Sequence, residues 1–212
     1  MSARTAARAR RTTAAALVLT LATATLAACG DDTAGDAPAA ERTAANGDVH
    51  NDADVEFATE MIPHHADALV MVDMTQGRDL SPELAALTED IRAAQAPEIE
   101  SMVDWLTAWG EDVPETSRDH VNSHGGSHGE DEGEEMDGMG MDPDDLTELE
   151  DAEGGAFESM WLEMMIEHHE GAIEMAEAEQ EDGLFADAVA LAESIESSQA
   201  AEIELMEELL GQ

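Results

Sequence analysis

Two short motifs hold the side chains best suited to chemistry: Met61-Ile62-Pro63-His64-His65 and Met165-Ile166-Glu167-His168-His169. Paired imidazoles beside a thioether suit transition-metal ligation. Imidazole takes zinc, copper, iron or nickel, and thioether sulfur favours Cu(I). On a helix, Met61, His64, Ala68 and Met71 fall within roughly an 80° arc, with His65 flanking it. Met165, His168, Ala172 and Met175 repeat the arc, flanked by His169. The small Ala68 beside His64 leaves room for another side chain or an ion. A lone histidine on an apolar face is usually a satisfied core residue, and a methionine stripe is usually adaptable packing. Packing is therefore the default for Met71, Met74, Met102, Met160 and Met206, with Met71 and Met175 kept as outer soft donors. For His64, His65, His168 and His169 the duplication reverses that balance. With Met61 and Met165 they are the candidate metal ligands.

A second stripe accompanies each motif. Ile91, Gln95, Glu98, Ile99, Met102 and Leu106 share a face of roughly 100°, and Gln199 and Glu202 recur at the matching places downstream. A carboxylate turned toward a core is costly unless it is paired, hydrogen-bonded or bound to a metal. A glutamate accepting from a ligating histidine meets that condition. Gln95, Glu98, Gln199 and Glu202 are thus expected to support or join the metal site. Carboxylate-rich di-iron bundles place a glutamate three residues before each histidine, and no such glutamate precedes these pairs. Copper is the expected metal, with zinc or iron behind it. Between the motifs, His120, His124 and His128 lie among Gly and Ser, followed by an acidic run and by Met136, Met139 and Met141. This acidic linker is expected to be disordered, and its His and Met tracts are auxiliary candidates for Cu(II) and Cu(I).

The elements that must position these groups follow from an internal repeat. Residues 57–106 align without gaps on residues 161–210, at a constant offset of 104. A duplicated helical hairpin makes an all-α four-helix bundle. The pattern predicts hairpin one over about 53–110, the linker over about 111–150 and hairpin two over about 151–212. Its helices run from Ala53 to Gln76, Pro82 to Trp109, Asp144 or Gly155 to Glu181, and Leu184 to Leu210. Pro63 and Pro97 fall inside the first two, with Glu167 and Ala201 at the matching positions. Interior prolines kink helices, so the halves should differ in shape near the histidines.

Ahead of the bundle, four arginines, an apolar run over 14–28 and Leu26-Ala27-Ala28-Cys29 read as a lipoprotein signal. Residues 1–28 are the expected signal peptide, and Cys29, the one cysteine, is the expected lipid attachment point. Arg10-Arg11 is compatible with twin-arginine export. Residues 29–51 read as a flexible tether to the outer face of the cell membrane. The formal charge is −43, with 51 acidic side chains against 8 basic ones. Nucleic acid is excluded as a partner, because phosphate contacts need cations. The metal ion, the membrane and a metal-transfer protein are the expected partners.

These motifs resemble the exported, ferritin-like family known as domain of unknown function 305. The resemblance rests on Phe57 through Met71, on Gln95-Ala96-Pro97-Glu98-Ile99-Glu100-Ser101-Met102 and on Trp161 through Ala172, and it spans about residues 50–212. It implies a four-helix fold and, since some members are associated with copper binding and resistance, a copper protein. Three functions compete: a copper-binding lipoprotein for buffering, delivery or resistance, a ferritin-like metal oxidase, and a structural adaptor without metal. The absence of tyrosine and the scarcity of inward carboxylates weigh against the enzyme.

Overall fold

Asn51 opens the first long helix with a capping box. Its side chain accepts from the Asp54 N–H, and the Asp54 carboxylate accepts from the Asn51 N–H. In the computed structural model, which describes residues 40–117 and 143–211, this helix is α1, Asp52–Met74. It is followed by α2 (Pro82–Trp109), α3 (Pro143–Asp151), α4 (Gly154–Asp182) and α5 (Ala186–Leu210). The four long helices match the expected bundle to within a few residues at each end. The ambiguous third start resolves into two elements. Gly154 adopts φ +55°, a left-handed geometry that separates α3 from α4.

Both expected flexible segments are shorter than the sequence suggested. Residues 40–51 belong to the folded unit, with β1 (Arg42–Thr43) pairing antiparallel to β2 (Val49–His50). The turn uses Asn46-Gly47, with Gly47 at φ +97°. Arg42 bonds Asp52 and Glu111, and His50 stacks on Trp109 with ring centroids 4.4 Å apart. Burying that ring pair gives the tether's end an apolar anchor. Beyond α2, Ser117 Oγ–H donates to Asp67, and α3 seats Leu149 in the core. Residues 111–117 and 143–150 therefore leave the linker. Cys29 and the signal peptide lie outside the described residues. Among the described residues, no helix is long and apolar enough to cross a membrane.

The repeat appears in space as a pseudo-twofold. Helices α1 and α4 run antiparallel: Asn51 at one end bonds the Asp182 carbonyl, while at the other Trp161 Nε1–H donates to the Met71 carbonyl. Two apolar clusters result. One joins Phe57, Met61, Met102, Leu106, Ala172 and Ile195; the other joins Trp161, Met165, Met206, Ala68, Leu84 and Ile91. Members of one list are the repeat partners of members of the other. Pro63 and Pro97 stay within continuous helices, at a half-buried and an exposed position respectively.

The same symmetry explains how α2 and α5 begin. Neither Ser81 nor Phe185 caps its helix with its own side chain. Instead Glu158 accepts from the Ser81 N–H, and Asp54 accepts from the N–H groups of Leu184 and Phe185. Each hairpin supplies the carboxylate that satisfies the other's helix start.

Candidate metal centre

Every long helix passes from one apolar cluster to the other, and the polar residues lie at the crossings. On α1, His64 and His65 fall between Met61 of the first cluster and Ala68 of the second; on α4, His168 and His169 fall between Met165 and Ala172. On α2, Gln95 and Glu98 separate Ile91 from Met102, and on α5, Gln199 and Glu202 separate Ile195 from Met206. The eight residues expected at the site thus form one polar layer across the middle of the bundle.

Within it the contacts come in pairs. His65 Nε2 lies 2.8 Å from Glu98 Oε2, and His169 Nε2 lies 2.6 Å from Glu202 Oε2. His168 Nε2 lies 2.9 Å from the His64 carbonyl, and the His64 and His168 rings meet at 3.7 Å between centroids. Carboxylates and carbonyls can only accept, so these three Nε2 atoms carry the proton. In the neutral form of such a ring the lone pair is on Nδ1. Among the described residues, all four Nδ1 atoms, of His64, His65, His168 and His169, are sealed from solvent with no hydrogen-bond partner, as are both amide atoms of Gln95 and Oε1 of Gln199. Buried polar groups are nearly always satisfied, so this concentration in one layer is unusual.

The electrostatics favour neutral rings at His64 and His168. Burial, reinforced by the neighbouring His65 and His169, lowers the pKa of His64 to about 3. Burial and the surrounding imidazoles push His168 well below its ordinary value. A neutral imidazole has no proton to release from its ligating nitrogen when it binds metal. Among the described residues, no three His, Cys, Asp or Glu side chains are grouped so that they could hold a metal ion together. Carboxylate-rich octahedral coordination does not fit, whereas imidazole nitrogens flanked by thioethers suit a soft ion of low coordination number.

Met61 and Met165 are fully buried, one helical turn from their histidines, within reach of the layer. Met71 and Met175 are not brought there. They share the helical stripe but stand two turns along the axis, about 10 Å away. Met71 packs in the second apolar cluster and Met175 against the first, so their expected role as donors gives way to packing. His120, His124, His128, Met136, Met139 and Met141 lie outside the described residues. Sequence reasoning missed Gly171, whose place in the layer is set by a contact with His64: a Cβ there would stand 3.3 Å from His64 Nε2. The one local signal was glycine in a helix interior, where it is unfavourable.

Comparison with known proteins agrees with this architecture. Residues 54–210 match DUF305, a domain of unknown function. No curated protein matches in sequence. A DUF305 protein from Streptomyces coelicolor, considered secreted, is 28% identical, with 75% of this chain and 91% of that one covered at a TM-score of 0.62. CopM in its Cu(II)-bound form is 31% identical, covering 74% and 95% at 0.59. In its Cu(I)-bound form it is 29% identical, covering 74% and 94% at 0.57.

Proposed function

We propose that this chain, which belongs to the DUF305 family, is an extracytoplasmic lipoprotein that binds copper for buffering, delivery or resistance. The carrying observation is the buried layer in which His64, His65, His168 and His169 each present an Nδ1 without a partner. Glu98 and Glu202 orient His65 and His169 through Nε2, the arrangement by which supporting carboxylates hold ligating imidazoles. Met61 and Met165 add soft donors at the layer's two faces, and Cu(I) is the state those donors favour. CopM, which shares the fold, was crystallised with both Cu(II) and Cu(I).

Cys29 is the lipid attachment point in this reading, and residues 1–28 are the export signal. The secreted relative supports export. The His and Met tracts of the linker, beginning three residues after Ser117, are auxiliary copper ligands. Ser117, the last described residue before those tracts, donates to Asp67 on α1. A protein that exchanges copper with the layer or the linker is the expected partner.

Titration of the exported chain with Cu(I) and with Cu(II), each against a competing chelator, tests the reading. Replacing all four histidines with alanine should abolish the tight Cu(I) component and leave a weaker one due to the linker. Tight binding that survives the fourfold replacement would refute the layer as the site.

A further inference from the structure

Three of the layer's four imidazoles have a committed Nε2. His65 gives it to Glu98, His169 to Glu202 and His168 to the His64 carbonyl. His64 is the exception. Among the described residues no group bonds its Nε2, and of its two nitrogens only Nδ1 is both sealed and unpartnered. His65 and His169 are fully buried, while His64 keeps 7% of its surface. His168 is exposed to a similar degree, 8%, but its Nε2 is already engaged.

What lies over the open nitrogen is Gly171 on α4. A Cβ at that position would stand 3.3 Å from His64 Nε2, so the ring would have to give by a few tenths of an ångström, and the His168 ring, tilted against it with centroids 3.7 Å apart, limits that movement. Glycine is a poor helix former, and Gly171 sits in the middle of a 29-residue helix. No positive φ calls for it there, since the left-handed glycines lie elsewhere. The matching position on α1 is Asp67, held by Ser117, so the two sides of the layer are unlike.

We infer that the notch at Gly171 is the port of the layer and that His64 Nε2, with that ring's proton on Nδ1, is its landing ligand, where an incoming Cu(I) ion first binds before moving to the sealed Nδ1 atoms of His65, His168 and His169. Gly171 is a positioning residue that keeps this nitrogen accessible. The inference rests on the copper reading, but the order in which the imidazoles react does not.

Two measurements test it. Diethyl pyrocarbonate, which acylates accessible imidazole nitrogen, should modify His64 of the apoprotein before His65, His168 or His169, as read by peptide mass spectrometry. In Gly171→Ala that acylation should slow, and stopped-flow loading of Cu(I) supplied in acetonitrile should slow about tenfold through crowding of the ring. The apoprotein's melting temperature should change little, because the helix propensity of alanine offsets much of the crowding at the ring. If His168 is acylated first, or Gly171→Ala loads at the wild-type rate, the port is wrong and the copper site stands. If the four-histidine variant binds Cu(I) as tightly as wild type, the copper reading falls while the acylation order still decides the port. Were Gly171→Ala to lose helicity, the acylation order in the wild-type chain decides alone.

Discussion

Replacing Glu98 with alanine removes the acceptor of the His65 Nε2–H, which lies 2.8 Å away in the native layer. His65 is fully buried, so the stranded donor should cost about 1–3 kcal/mol of stability. It should also lower Cu(I) affinity about 10- to 100-fold, as losses of supporting carboxylates do. Glu202→Ala should act alike on His169, and chelator competition with a urea melt reads both effects. His64 offers a second check. Its folded pKa of about 3 lies below the ordinary 6.5, so the native ring should show no titration by NMR between pH 8 and pH 5. The sign of its effect on stability follows. The unfolded ring takes up a proton below about pH 6.5, whereas the folded one does not. This contribution is complete above that pH and is lost as the pH falls toward 3. A midpoint for His64 near neutrality would contradict a buried, neutral ring at that position.

At the scale of helices and turns, a buried acid at the end of α4 works in the opposite direction. Burial first, and Asp54 second, raise the Glu179 pKa from 4.5 to about 9. The unfolded carboxyl ionises near 4.5 but the folded one does not, so Glu179 erodes stability as the pH climbs from 4.5 to about 9. Glu179→Gln should therefore melt higher than wild type at neutral pH. The gap should widen from pH 5 to pH 9 and vanish in acid, and a gap independent of pH would refute the assignment. Nothing in the local sequence marked Glu179, which stands in an acidic run and matches Thr75 in the repeat. The four long helices were legible because their apolar stripes keep a helical period. The His and Glu positions were legible because they interrupt those stripes twice, in register. The β1–β2 hairpin was not: strands of two residues carry no period, and Asn46-Gly47 was the one turn signal. The cap on α5 was equally hidden. Phe185 is a poor N-cap by type, and its partner Asp54 lies 131 positions away, a contact only the pseudo-twofold supplies.

For the whole molecule, charge and metal should stabilise by separate routes. With 51 acidic and 8 basic side chains, the folded chain repels itself, and salt screens that repulsion over a Debye length of about 10 Å at 0.1 M. Raising sodium chloride from low concentration should therefore raise the melting temperature of wild type and of the four-histidine variant by similar amounts, since the acidic surface is common to both. Copper bound in the proposed layer would act elsewhere. His64 and His168 belong to different hairpins yet touch at the pseudo-twofold, so an ion held between them ties the halves together and binds only the folded state. At a hundredfold excess over Kd that linkage is worth about 2.7 kcal/mol, and it should appear on top of the salt effect in wild type alone. Adding a Cu(I) chelator at constant ionic strength should remove it. A copper-induced rise of equal size in the four-histidine variant would instead mean that the acidic surface takes up copper as a counter-ion, without a site in the layer.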